Sequence, residues 1–133
     1  MKLSNSTSRG VYLTLQVQYK LKEIACTYHV KLKNLVPALL WHIATKNKRY
    51  SDVSVPPGPL KLKHVDISDD VFDRLKIQAC QHHMPFSHYI NIALLDTFDE
   101  PYEDDTEERF VKYFYEDIIR RYQDSLTNAR QCG

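Results

Sequence analysis

The sequence predicts a mainly helical protein with a short two-stranded antiparallel ribbon. Two strand–helix–helix repeats fold together as an intramolecular pseudo-dimer, and a C-terminal helix follows them. Three observations predict this fold. Residues 10–44 align without a gap on residues 64–98. In each copy, apolar residues first alternate with polar ones, as in a strand, and then recur at spacings of three and four residues, as in an amphipathic helix. Each copy alone is too small to bury a core, so the two copies should pack against each other.

The internal repeat consists of positions that match at one constant offset. The following pairs coincide: Val11 with Val65, Leu13 with Ile67, Val17 with Val71, Leu21 with Leu75, Ala25 with Ala79, Cys26 with Cys80, His29 with His83 and Leu40 with Leu94. A repeat of this kind determines the whole fold, because each copy forms one structural unit that packs against the other. Strand-like and helix-like patterns match in the same register, which favours a true repeat over a chance similarity of two amphipathic stretches.

The first repeat, residues 9–44, follows a polar arm at residues 1–8. Residues 9–13 are predicted as a strand, and Thr14 as the N-cap of a helix. After a break, residues 34–44 are predicted as a second helix, which Pro37 should kink or delay. The predicted inward positions are Val11, Leu13, Val17, Leu21, Ile24, Ala25, Tyr28, Leu35, Leu39, Leu40 and Ile43.

A second register for the first repeat stays open. Leu13 to Gln18 also alternates cleanly between apolar and polar residues, so the strand could continue. In that case Thr14, Gln16 and Gln18 would lie on its outer face. The alignment of the two repeats argues against this register, and the local pattern supports it.

The second repeat, residues 62–98, has clearer signals. Residues 62–67 are predicted as a strand, and Ser68 as an N-cap followed by two aspartates that the helix dipole favours. A break at residues 83–85 places Pro85 in the first turn of a helix over residues 86–98. The predicted inward positions are Val65, Ile67, Val71, Leu75, Ala79, Tyr89, Ile90, Ala93 and Leu94.

Two segments lie outside the repeats. Residues 45–61 form a basic linker that contains Pro56-Pro57-Gly58-Pro59 and should be extended. Residues 99–133 combine an acidic stretch with an amphipathic helix, which carries favourable pairs of Glu116 with Arg120 and Asp117 with Arg121. This tail should pack across the helical core, join two copies of the chain or contact a partner protein. Its apolar stripe comprises Phe110, Val111, Phe114, Ile118 and Tyr122.

The composition suits one compact domain without a membrane span. The chain has 133 residues, of which 43% are hydrophobic and 26% charged. No apolar run approaches the roughly 18 residues that a transmembrane helix needs. The polar N-terminus and the odd number of cysteines indicate a cytoplasmic protein with free thiols. Cys26 and Cys80 lie next to the core stripe and are predicted to be buried and inert.

The near-neutral net charge hides a strong gradient along the chain. Residues 1–64 carry a net charge of +9, residues 65–98 carry −3 and residues 99–133 carry −5. A basic segment of this size favours a polyanionic partner, because it creates a positive field over part of the surface.

The order strand–helix–helix, occurring twice, resembles the ribbon-helix-helix family of Arc/MetJ-type DNA-binding proteins. The second copy carries the resemblance best, in residues 65–75, Ala79, residues 84–90 and Ala93-Leu94. The resemblance implies sequence-specific binding of double-stranded DNA by a β-ribbon in the major groove. It further implies a transcriptional repressor, or a plasmid or phage accessory factor, that works at the nucleoid.

The resemblance also implies which residues contact DNA. The outward ribbon residues Gly10, Tyr12, His64 and Asp66 would face the bases. Phosphate contacts would come from the ribbon flanks and from the starts of the second helices, where backbone N–H groups bind anions. These residues are Arg9, Lys61, Lys63, Lys31, Lys33, Asn34, Ser87 and His88. The first helix start is basic and the second is not, so an asymmetric DNA target is expected.

An enzyme, a cofactor and a metal site are not expected. The sequence contains no nucleophile–base pattern, and its three glycines form no phosphate-binding loop. His82 and His83 are adjacent and face different ways on a helix, so they do not chelate together. The alternative function is a protein-interaction module, of the antitoxin or inhibitor type, that has kept the scaffold and lost base reading. Gly10 lacks a side chain and Asp66 repels phosphate, which favours this alternative.

Overall fold

The computed structural model describes residues 6–50, 59–102 and 108–132 and is mainly helical, with a two-stranded antiparallel sheet. The elements are β1 (Ser6–Thr14), α1 (Leu15–Thr27), α2 (Leu32–Lys46), β2 (Leu60–Ser68), α3 (Asp69–Gln81), α4 (Phe86–Asp99), a 3₁₀ turn (Glu100–Tyr102) and α5 (Glu108–Cys132). Pro56-Pro57-Gly58 of the predicted linker lies outside the described residues. Within the described ranges, no helix is long and apolar enough to cross a lipid bilayer.

Both strands are longer than the sequence patterns predict. β1 begins within the predicted polar arm and β2 within the predicted linker, and every residue of each strand pairs with the other strand. Backbone pairing satisfies the N–H and C=O groups of these ends, so polar side chains do not stop the strands there. The alternative register of the first repeat is wrong. The Thr14 hydroxyl accepts a hydrogen bond from the Val17 N–H at 3.2 Å, and α1 therefore begins at Leu15.

The helices after the two strands begin and end in the same way. Ser68 caps α3 as Thr14 caps α1, with a hydroxyl that accepts from the Val71 N–H at 3.2 Å. Both helices span 13 residues, and each is followed by a histidine with φ of 56°, His29 after α1 and His83 after α3. A left-handed residue just past a helix is a common way to end it. All of these boundaries fall at positions that the alignment of the two copies matches.

Proline has a smaller effect on the second helices than predicted. α2 begins at Leu32, before the predicted start, and continues through Pro37 to Lys46. Pro37 lies early in α2, so its missing N–H removes a single bond, the one to the Lys33 carbonyl. Pro85 is the N-cap of α4 rather than a residue of its first turn.

The core contains nearly all of the predicted inward residues of both repeats, and only Ala25 is partly exposed. The cysteine prediction is wrong, because Cys26 and Cys80 are both exposed. Each cysteine directly follows an alanine of the inward stripe. On a helix, one residue is a rotation of about 100°, which turns these thiols away from the core.

The tail packs across the helical core, one of the three arrangements predicted for it. The Tyr28 and Tyr115 rings stack at 5.9 Å between centroids, and Phe114 meets His42 edge-on at 6.1 Å. Tyr122 lies 5.9 Å from Trp41. α5 therefore covers α2 and the end of α1.

The buried seam of α5 differs from the predicted stripe. Phe110 is 48% exposed, whereas Tyr115 and Ile119, which the prediction omitted, are buried beside Val111 and Ile118. The ion pairs also shift. Asp117 binds Arg121 at 2.9 Å as predicted, but Arg120 pairs with Asp117 instead of Glu116. The packing of α5 against α2 selects a seam rotated slightly from the one that the apolar residues alone suggest.

Each strand packs against the second helix of the other half of the chain, β1 against α4 and β2 against α2. Asn91 of α4 makes the first of these contacts specific. Its Nδ2 donates to the Tyr12 carbonyl at 3.0 Å, and its Oδ1 accepts from the Thr14 N–H at 2.9 Å. One amide side chain thus binds the outer edge of β1 as a third strand would. The residue that aligns with Asn91 in the first copy is Pro37, which has no amide group.

Replacement of Asn91 by leucine should lower the free energy of unfolding by about 2–3 kcal/mol, because the change leaves buried backbone groups without partners. Urea denaturation measures this difference. The exposed amide of Gln123 provides the matched control, and Gln123→Leu should change stability by less than about 0.5 kcal/mol. Equal effects of the two substitutions would contradict the role of Asn91.

A buried histidine lies at the junction of α2 with the 3₁₀ turn. His42 donates from Nε2 to Glu100 Oε2 at 3.0 Å. Burial lowers the pKa of His42 to about 4, and the positive charges of Lys46 and Arg121 contribute in the same direction. The contact with Glu100 alone would raise this pKa, but the desolvation of the ring outweighs it. His42 is therefore neutral in the folded chain at neutral pH.

Stability should fall as the pH drops from 6.5 to about 4. Above the unfolded pKa His42 is neutral in both states, whereas below it the unfolded chain takes up a proton that the folded chain does not. The free energy of unfolding should decrease by about 3 kcal/mol over this pH range. Denaturation at a series of pH values should show a smaller loss in His42→Gln. The exposed His64→Gln serves as the control and should keep the wild-type pH dependence.

Candidate nucleic-acid interface

The four predicted base-facing residues lie together on the outward face of the ribbon. Strand side chains alternate, and the buried valines, leucine and isoleucine of the odd-numbered positions point toward the helices. The opposite face consists of Ser8, Gly10, Tyr12, Leu60, Leu62, His64 and Asp66, all of them exposed. Gly10 lies directly opposite His64 at the centre of the paired strands.

Sequence reasoning missed two leucines on this face. Leu60 is 47% exposed and Leu62 49%, and Leu62 lies opposite Tyr12, which is 50% exposed. A Cβ atom on Gly10 would come within 2.6 Å of Leu62 Cδ1, so the leucine side chain lies across the glycine. Leu62 lies within the predicted strand, and the alternation from buried Val65 already places it outward. Leu60 would have been placed outward as well if β2 had been predicted to begin there. One half of the face is therefore apolar.

The predicted ribbon-flank cations occupy the helix-facing side of the strands. Lys61 lies opposite Leu13, and Lys63 opposite Val11. Lys61 is exposed and Lys63 is partly buried, so both are at the margin of the core. Arg9, the third of these predicted cations, has partners within the chain. Its guanidinium pairs with Asp69 and lies 4.3 Å from the centroid of the Phe72 ring, which gives it a partner within the chain.

The start of α2 lies beside the outer edge of β2 and is basic. A cavity of about 250 Å³ separates the two elements, and its walls include Lys33, Lys63, His64 and Asp66. Lys31 is the N-cap and makes no side-chain cap bond. The N–H of Asn34 donates to the Lys31 carbonyl at 3.0 Å, so this predicted phosphate donor is already used.

The start of α4 lies beside the outer edge of β1 and is apolar. A cavity of about 250 Å³ lies here as well, with walls from Tyr12, Phe72, Lys76 and Phe86, together with Gly10, Val11, Ser87 and Ile90. Ser87 and His88 are partly buried, and the Ser87 carbonyl accepts from Asn91. The two ends of the ribbon thus differ in chemistry, as the sequence predicts.

The histidines do not assemble a metal site in the part of the chain that the structure describes. No group of three His, Cys, Asp or Glu side chains is close enough there to bind a metal ion. His82 has a structural position instead. Its Nδ1 contacts the Gln78 carbonyl at 2.7 Å, and its Nε2 accepts from the Tyr50 N–H at 3.2 Å.

No model of a known protein family, no curated protein and no solved structure matches this chain.

Proposed function

We propose that this chain binds double-stranded DNA through its β-ribbon, as a single-chain ribbon-helix-helix protein. One observation carries the proposal. Gly10 and His64, which the alignment of the two copies matches, lie opposite each other in the paired strands. In a symmetric dimer with a ribbon, the central pair consists of the same residue from both subunits. The pairing of Gly10 with His64 supports a pseudo-two-fold axis at this point of a single chain.

The packing of the two halves supports the same pseudo-dimer. Each element of residues 6–46 starts at the position that the alignment matches to the start of its counterpart in residues 60–99. Each strand contacts the second helix of the other half. Neither half therefore completes its core alone, which is expected of intertwined subunits that have been joined into one chain.

The ribbon face offers a small number of base contacts. A two-stranded ribbon fits the B-DNA major groove, which is about 12 Å wide. Tyr12 and Leu62 suit contact with thymine methyl groups, His64 can donate to a guanine, and Asp66 can accept from a cytosine amino group. Much of the affinity would then come from phosphate contacts, which set the position of the protein on the duplex.

Phosphate contacts would be concentrated on the α2 side of the ribbon. Lys31 and Lys33 belong to the start of α2, and Lys63 lines the cavity beside it. No side chain caps this helix, whose N-terminus also favours an anion. The α4 side has aromatic walls in the corresponding place. The base contacts would differ as well, since Tyr12 and Asp66 occupy matched positions of the ribbon. The DNA target would therefore be asymmetric rather than a perfect palindrome. Occupation of such a site suits a repressor or a plasmid or phage accessory factor in the cytoplasm.

A protein-interaction module is the second candidate function. The exposed apolar half of the ribbon face, Tyr12 with Leu60 and Leu62, favours it, because exposed apolar patches often mark protein contacts. The contact surface would differ from the predicted tail. Phe114 and Tyr122 pack on α2, and Ile118 is buried, which leaves Phe110 as the exposed member of that set.

Lys31→Gln with Lys33→Gln should weaken binding to all duplexes alike. The double change should also reduce the salt dependence, by about one unit of log–log slope for each phosphate that the chain no longer neutralises. Fluorescence anisotropy of a labelled duplex at several salt concentrations measures both quantities. Lys112→Gln removes a charge from the exposed side of α5 and serves as the control. It should leave the slope unchanged.

Tyr12→Ala and His64→Ala test the ribbon in the same assay. They should reduce discrimination between DNA sequences while leaving the salt slope unchanged. A wild-type chain that binds no duplex at any salt concentration would contradict the proposal and favour the protein-interaction module.

A further inference from the structure

Two cavities of equal size, each about 250 Å³, occupy corresponding places on the two sides of the ribbon. Each lies between a strand and the start of the second helix that packs against it. The β1-side cavity has a third wall from α3, through Phe72 and Lys76. The packing of a strand against a helix therefore creates a cavity on both sides. The side chains that line each cavity vary independently of this backbone arrangement.

The two cavities differ in chemistry at matched positions. On the β2 side the walls carry charged and polar groups, with Lys33, Lys63, His64 and Asp66. On the β1 side Tyr12 takes the place of Asp66, and Phe86 takes that of Leu32, each at the aligned position of the other copy. Aromatic walls are thus confined to the β1 side. A general need to fill space would not produce this difference.

The aromatic walls are suited to a flat apolar body. The Phe72 and Phe86 rings pack against each other, with centroids 5.1 Å apart and 34° between their planes, so they form one continuous aromatic wall. Ile90 lines the same cavity. An enclosed apolar cavity of about 150 Å³ binds benzene, and the β1-side cavity is larger and open to solvent on one side. A volume of about 250 Å³ leaves room for a ring and one attached polar group.

A positive group marks where the polar part of a ligand would lie. Lys76 lines the cavity, with its ammonium 5.1 Å from the centroid of the Phe72 ring. Arg9, on the same ring, already pairs with Asp69. Ser87 belongs to the first turn of α4, and the N-cap Pro85 makes no side-chain cap bond there. Lys76 and the helix dipole at the start of α4 both favour a negative charge in the cavity.

We propose that the β1-side cavity binds a small planar aromatic carboxylate. The ring lies against Phe72 and Phe86, and the carboxylate faces Lys76 and the start of α4. The site adjoins Tyr12 of the ribbon, so an occupant would alter the surface on that side. The proposal goes beyond DNA binding and does not depend on it.

Titration of the full chain with indole-3-acetate, followed by calorimetry and by NMR chemical shifts, tests the site in the absence of DNA. We expect saturable binding, about tenfold tighter than that of neutral indole, since the carboxylate adds a charge-assisted hydrogen bond. Phe86→Leu should weaken binding about tenfold, because it removes one of the two contacting phenylalanine rings. This variant places in α4 the residue that α2 carries at Leu32. Lys76→Gln should reduce the affinity for indole-3-acetate to that for indole.

The control is Lys33→Gln in the β2-side cavity, which should leave indole-3-acetate binding unchanged. Three results would overturn the proposal. They are the absence of saturable binding, binding that Phe86→Leu does not weaken, and equal affinity for the acid and for indole. Self-association that Phe86→Leu abolishes would also overturn it, because the occupant would then be a second copy of the chain. None of these results bears on DNA binding, which is measured separately.

Discussion

The antiparallel pairing of β1 with β2 is the constraint on which the rest of the structure depends. Its register places Val11 and Leu13 of one strand, and Val65 and Ile67 of the other, on the same side, where they are buried. A slip of one residue would turn these side chains to solvent and bring Tyr12 and Asp66 inward. Because each strand leads directly into a capped helix, the register also fixes where α1 and α3 start. The outward face of the ribbon is defined by the same pairing, so fold and candidate interface have a common origin.

The two flanks of the ribbon share their geometry but not their chemistry. Asn91 binds the outer edge of β1, whereas Pro37 stands in its place beside β2. Lysines surround the start of α2, and aromatic rings surround the start of α4. The segments outside the two repeats add further differences. In the tail, α5 covers α2. In the linker, Lys48 contacts Asp96 and Tyr50 contacts His82, both in the second repeat. These differences arise easily in a single chain, because the two halves can change independently, as they cannot in a homodimer.

Local signals in the sequence predicted the fold well where a single residue determines the start of a helix. Thr14 and Ser68 cap their helices as predicted, and the inward stripes are almost all buried. The exposure of Cys26 and Cys80 follows from the local helix geometry, and the other errors arise where tertiary contacts decide. Strand ends are extended by pairing with a distant strand, and the seam of α5 is selected by α2. For the candidate interface, alternation placed Tyr12, His64 and Asp66 on the outward face correctly. The pairing of Arg9 with Asp69 joins two segments that are far apart in the chain, which no local pattern reveals.

Selection from a randomised duplex library at near-physiological salt, with sequencing of the retained DNA, tests the central claim most directly. We predict a short enriched motif with unequal halves, because Tyr12 and Asp66 occupy matched positions of the ribbon face and differ in chemistry. Failure of the wild-type chain to retain any duplex would contradict DNA binding through the ribbon. Enrichment of a perfect palindrome would contradict the asymmetry of the ribbon face.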